Sequence, residues 1–316
     1  MATLAGTVPF ATIVFEFDPL LHIGDSTVRL ETLGIAGAAL VGILLAALIA
    51  RRTQSGEPGR SASAMLRPGE AHLRRDDLLF IILGIVPGAV IGGRIGYVLL
   101  HLDFYSANPA AILDPSQGSL ELGLAVLGGT LTGAYVARLL EAPVGRWFHV
   151  AAVPVFLAIG LGEAARILGG SGQGSPSDAA WSTAYLGPGP WGSLAPAVPS
   201  NPAQAYGAIA AAVAAASVGL TVWLGGFSAA TGAAYFVAMF VWAVGRAVVS
   251  TTWRDEPVLG PIPAGGVIAI GVAVAAVAGW WLCRWTARRV RYQAHQHQTS
   301  PASGPAWPDP GDRPRF

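Results

Sequence analysis

LLFIILGIVPGAVIGGRIGYVLLH, residues 78–101, is almost wholly apolar and carries a single permanent charge, Arg94. A run of about 20 apolar residues is long enough to cross ~30 Å of hydrocarbon as a helix. Comparable runs recur near 32–50, 120–140, 148–170, 203–225, 231–250 and 264–283, which makes seven spans with 78–100. The composition agrees, with 53% hydrophobic residues, 12% charged residues and a mean hydropathy of +0.53, far from what a soluble surface needs. The chain is expected to be an all-α polytopic membrane protein of seven transmembrane helices.

Arginine placement predicts the orientation. All nineteen basic residues are Arg, and short loops rich in Arg stay on the cytoplasmic side. The connection 51–76 holds Arg51, Arg52, Arg60, Arg67, Arg74 and Arg75, the third-to-fourth connection holds Arg138 and Arg146, and the tail opens with Arg284, Arg288, Arg289 and Arg291. By contrast, 102–118 and 171–202 contain no basic residue. The expected layout has an external N-terminal segment at 1–31 and a transmembrane domain at 32–285 with an external loop at 171–202. A flexible cytoplasmic tail at 286–316 follows. The opening MATLAGTVPF lacks the basic and apolar blocks of a cleaved signal peptide, so insertion is expected to use the first span. Loop 171–202 mixes turn formers with Trp181, Tyr185 and Trp191. It reads either as a floppy segment anchored at the headgroup layer or as a cap over a site. One cysteine, Cys283, excludes an internal disulfide.

Five charges lie in or beside apolar spans: Arg94, Glu121, Glu163, Arg166 and Arg246. A charge at mid-membrane costs roughly 2.5–3.5 kcal/mol on insertion scales, so each must pair, meet water or hold something anionic. With alternating spans all five fall toward the external side. Glu163 and Arg166 are three apart, hence on one helical face. Three Arg against two Glu leave a positive layer, and the planar guanidinium fork suits a phosphate. Interhelical salt bridges are the alternative use of such charges.

GGRIGYVLLH at 92–101 resembles the second-helix signature of the prolipoprotein diacylglyceryl transferase family. Further segments follow in order. FEFDPLLHIGD at 15–25 is similar to the approach to the first helix, and LGGTLTGAY at 127–135 to the HGGLxG segment of the third. ILGGSGQG at 167–174 is similar to the Gly-rich end of the fourth, NPAQAYGA at 201–208 to the HPSQLYE entry of the fifth, and GAAYFVAMFVWAVGR at 232–246 to the sixth. The resemblance covers roughly 15 to 285. It implies a seven-span bacterial plasma-membrane enzyme that moves a diacylglyceryl group from phosphatidylglycerol to the lipobox cysteine in the signal peptide of a prolipoprotein. It implies neither metal nor other cofactor nor nucleic acid, and commits to no oligomeric state. Substrate contacts are expected from Arg94, Tyr97, Arg166, Gln204, Tyr206 and Arg246. Gly92, Gly93, Gly128, Gly129 and Gly133 would let helices approach closely.

Departures from the family pattern accompany these matches. The histidine before GGLxG, placed to take the thiol proton, is Leu127 here. The arginine opening the fourth-helix signature aligns with Glu163 or Ala165, and Arg166 recovers it only with a one-turn shift. The family's first-helix tyrosine falls on Thr32 or Leu33, its sixth-helix tyrosine on Trp242, and its glutamate after the closing arginine on Ser250. A thiol of pKa near 8.5 is only a few per cent ionised at neutral pH, and a positioned base is typically worth 10²–10⁴ in rate. Glu163, Glu121 and His101 are the candidates to replace the missing base. A catalytically degenerate paralogue, keeping the fold as a lipid-binding or complex-forming subunit, is the alternative.

Overall fold

The computed structural model describes residues 12–53, 73, 75–114 and 118–299. Among the described residues, seven helices are long and apolar enough to cross a membrane. They are α1 (Leu30–Thr53), α2 (Arg75–Leu100), α4 (Leu122–Leu139), α5 (Val144–Ala165), α6 (Ala203–Trp223), α7 (Ala233–Ser250) and α8 (Ala264–Thr299), with a short α3 (Leu102–Ala107) after α2. Large apolar side chains such as Leu83, Leu131, Ile209 and Val274 stand exposed along their flanks, as lipid-facing surfaces require.

The fourth span begins at Val144 rather than near 148, because Pro143 stands immediately before it and sets its first turn. The last helix runs past the expected boundary at 285 to Thr299. At 1.5 Å per residue it is about 54 Å long, well beyond the hydrocarbon thickness. The linker 53–72 lies almost entirely outside the described residues, as do residues 300–316 of the tail.

Small residues set the packing. α2 lies along α4, α1 along α5, α7 along α8, and α6 against both α5 and α7. Between α2 and α4 the backbones nearly touch. A Cβ on Gly92 would run into the Leu124 carbonyl and one on Gly128 into that of Gly88. Gly93, Gly129 and Gly133 face Leu120 and Ile85 in the same seam. The larger core is formed by α5, α6, α7 and α8 from Ala152, Phe156, Ala211, Met239, Trp242, Val272 and their neighbours. There Thr130 Oγ1 and Tyr235 Oη, 2.6 Å apart, pin α4 to α7.

Among the described residues, six short strands that hydropathy does not reveal lie at one end of the bundle. β1 (Ile13–Phe15) pairs in parallel with β4 (Thr183–Tyr185), β2 (Leu20–Ile23) forms a hairpin with β3 (Ser26–Arg29), and β5 (Pro257–Leu259) one with β6 (Ile262–Pro263). Segment 171–202 is therefore a folded cap. Ser182, Tyr185 and Ser200 are buried in it, and Tyr185 stacks on Phe15 with ring centroids 5.0 Å apart and lies 4.8 Å from Trp191.

Candidate active site

Four of the five intramembrane charges meet beneath this cap. Arg166 Nη1 donates to Glu163 Oε2 at 3.0 Å, Arg246 Nη1 lies 3.6 Å from Glu163 Oε1, and Arg246 Nη2 donates to Glu121 Oε1 at 3.1 Å. The result is an alternating chain, Arg166–Glu163–Arg246–Glu121, drawn from α4, α5, α7 and the 3-10 turn that ends α5. Both carboxylates are buried. Burial on this scale holds charges only when they are paired.

The helix termini explain how each member is held. Glu121 caps α4: Oε1 accepts from the N–H of Gly123 and Oε2 from that of Leu124, each at 2.7 Å. Its own N–H donates to the Gly93 carbonyl at 2.9 Å, which ties the cap to α2. With Arg246 as a third donor, both oxygens of the Glu121 carboxylate are already engaged, and it serves as an anchor. Glu163 rests against the bare backbone of Gly207 on α6. Arg246 lies over the Trp253 ring, 4.9 Å from its centroid, and its Nε is buried without an acceptor.

Arg94 goes elsewhere. Its Nε donates to the Ile112 carbonyl at 2.7 Å, and Nη2 donates to those of Ala111 and Asp114 at 2.6 and 2.9 Å, with the guanidinium over the Tyr105 ring. Arg94 stands at the level of Glu121, its neighbour Gly93 accepting the Glu121 N–H, but its side chain takes no part in the ion-pair chain and organises the turn after α3. His101 is exposed, with Nδ1 2.9 Å from the Tyr97 carbonyl and its ring stacked on Tyr97. The structure joins it to Tyr97 rather than to the acidic residues.

Gln204 is buried in the first turn of α6, three residues from Gly207 and so on the same face. Its Nε2 donates to Tyr185 Oη at 2.8 Å, while Oε1 has no partner. Burial pushes the Tyr185 phenol up to about 12, against the opposing hydrogen bond from Gln204, so it stays neutral. Tyr206 Oη accepts from Trp181 Nε1 at 2.7 Å at the cap's edge.

Sequence reasoning passed over three residues here. Trp253 and Arg254 follow α7 directly, and the charged run TTWRDE behind a closing arginine is a readable signal. Arg254 donates to the Gly174 carbonyl, Gln173 Oε1 and Ser200 Oγ, locking the cap. Glu31, at the start of α1, takes the Ser171 hydroxyl of the cap. An apolar groove of about 480 Å³ on another face of α7, lined by Phe240, Val244, Ile270 and Val277 among others, lacks the chemistry of this cluster.

Known sequences now bear on the cluster. The profile of the family described as prolipoprotein diacylglyceryl transferase matches residues 19–293. The chain belongs to that family. It is 28% identical over 138 residues to a phosphatidylglycerol–prolipoprotein diacylglyceryl transferase of Geobacter sulfurreducens, a match covering 43% of this chain and 50% of the relative. To proteins of the same name it is 30% identical in Brucella anthropi, over 64% of this chain and 70% of the relative, and 31% identical in Allorhizobium ampelinum, over 60% and 62%. The chain thus aligns with about half the length of the Geobacter relative. Within this family frame the residues that match its motifs divide: Arg246 and Gln204 sit at or beside the charge cluster, whereas Arg94 and Tyr97 serve the neighbouring loop.

Proposed function

We propose that this chain transfers a diacylglyceryl group from phosphatidylglycerol to the lipobox cysteine thiol of bacterial prolipoproteins, as a multi-pass plasma-membrane enzyme with its cap and N-terminus outside. The observation that carries the reading is Arg246: a part-buried guanidinium, paired to Glu121, keeps its buried Nε–H unfilled beneath the cap. An anionic phosphodiester supplies the acceptor that this donor lacks. Arg246 would clamp the phosphate, Gln204 and Tyr185 would offer neutral hydrogen bonds to a hydroxylated headgroup, and the small residues under the cap would admit the peptide.

Glu163 is the base of choice among the three candidates, since Glu121 is committed to backbone donors and His101 stands apart with Tyr97. The competing reading, a lipid-binding paralogue without catalysis, rests on Leu127. That side chain occupies the family's histidine position, six residues and about 9 Å along α4 from Glu121. Transfer from radiolabelled phosphatidylglycerol to a lipobox peptide decides between them. Wild-type turnover supports the enzyme, and Leu127→His should raise it by about one to two orders of magnitude. No transfer by either protein, with phosphatidylglycerol bound, leaves the binding role.

A further inference from the structure

The four clustered charges are two Arg and two Glu, so an arriving anionic lipid meets no net positive charge until one carboxylate withdraws. The two carboxylates are held very differently. Glu121 is fixed by two backbone N–H groups at 2.7 Å as well as by Arg246. Glu163 is held by arginine side chains: Oε2 by Arg166 at 3.0 Å, and Oε1 by Arg246 at the looser 3.6 Å. The loosest contact in the chain therefore falls between Glu163 Oε1 and the arginine that also carries an unfilled Nε.

We infer that the lipid phosphate and the Glu163 carboxylate exchange places on Arg246, so that binding of the anionic lipid is the event that unmasks the base. This rests on the transferase reading. A phosphodiester oxygen takes Arg246 Nη1 in place of Glu163 Oε1, where a charge-assisted hydrogen bond replaces the loose ion pair. Glu163 Oε1 is released while Arg166 keeps Oε2 and the orientation of the side chain. The released oxygen has its lone pairs free to accept a hydrogen bond from an arriving thiol.

The step then balances. Glu163 Oε1 takes the thiol proton, and the sulfur attacks the diacylglyceryl CH2 that bears the phosphate ester. An S–C bond forms as the C–O bond breaks, its electron pair going to the phosphate oxygen. Glu163 returns the proton to the departing glycerol phosphate. As that product leaves, the carboxylate closes back onto Arg246. A thiol peptide arriving without lipid meets a base already occupied by arginine, so the exchange also orders the two substrates.

The test measures phosphatidylglycerol binding and transfer separately. Protein in phosphatidylcholine nanodiscs is titrated with phosphatidylglycerol, and transfer to a lipobox peptide is assayed in parallel. Glu163→Gln removes the competing charge, so phosphatidylglycerol should bind about tenfold tighter while transfer falls by at least ~10². Glu163→Asp keeps the charge but draws it back from Arg246, so binding should tighten by a smaller factor and transfer should persist at a reduced rate. A folded variant of either kind that binds phosphatidylglycerol no tighter than wild type overturns the exchange, even if wild type transfers lipid. Wild type that neither binds phosphatidylglycerol nor transfers overturns the transferase reading together with it.

Discussion

Arg246 and Arg94 are both arginines in apolar spans near the same end of the bundle, yet the structure assigns them different work. Arg246 joins two carboxylates, and Arg94 joins three loop carbonyls. Arg246→Ala should weaken phosphatidylglycerol binding about 10- to 100-fold as one or two charge-assisted contacts are lost, with Arg246→Lys intermediate. Arg94→Ala should leave lipid occupancy near wild type by native mass spectrometry while lowering thermal stability; equal lipid loss in both would contradict this division. Glu163 and Arg166 form a second testable pair. Each single Ala change should destabilise the solubilised protein, and the double change should cost less than the sum by about 0.5–3 kcal/mol in thermal unfolding. Arg166 is 35% exposed, which favours the low end. The charges themselves were legible in the sequence, because a formal charge inside a membrane-length run demands a partner. The identity of Arg94's partners was not, since backbone carbonyls at 111–114 carry no sequence signature. Trp253 under Arg246 escaped for a similar reason: an aromatic just beyond a span reads first as an interface anchor.

At the level of elements, the spans were readable from hydropathy to within a few residues except at the end of α8, which runs on to Thr299, and the start of α5 moves for a local cause, Pro143 before it. The alternatives left open for 171–202, a floppy segment or a cap, resolve in favour of a folded cap. Its strands are three residues long, and its order comes from partners far away in the chain: β1 across 170 residues from β4, and Arg254 beyond α7. No local periodicity records such contacts. Arg254 is the main rivet, because it satisfies the Gly174 carbonyl at 2.6 Å and Ser200 Oγ at 3.0 Å and shares Gln173 Oε1 with Ser193. Removing it takes a donor from all three and leaves the Gly174 carbonyl without its partner, at about 1–3 kcal/mol for a buried group so left, while Gln173 Oε1 keeps Ser193 and Ser200 Oγ keeps the Val198 carbonyl. Arg254→Ala should therefore loosen the cap before the bundle. Amides of 173–200 should exchange faster with deuterium while those of α5 and α7 keep their protection, and uniform loss across all helices would show that the cap and bundle unfold as one.

For the whole molecule, the distribution of arginine, the cap and the charge cluster constrain one another. Glu121, Glu163, Arg166 and Arg246 lie at the end of the bundle that carries the cap, whereas Arg51, Arg138, Arg146 and Arg284 lie at the other. The arginine bias predicts that this second end faces the cytoplasm; on that prediction the cluster sits in the outer half of the membrane, where an exported thiol peptide and an outer-leaflet lipid can both reach it. Orientation is thus a condition for the transferase reading as well as a matter of topology. With Cys283 replaced by Ser, single cysteines at Leu113 and Leu194, which are 89% and 96% exposed at the cap end, should react with a membrane-impermeant maleimide in intact cells. A cysteine at Leu224, 69% exposed in the connection between α6 and α7, should react only after permeabilisation. The opposite pattern would put the charge cluster on the cytoplasmic side, out of reach of an exported cysteine. A protein so oriented could still bind anionic lipid through Arg246, but it would have to meet its thiol substrate before export.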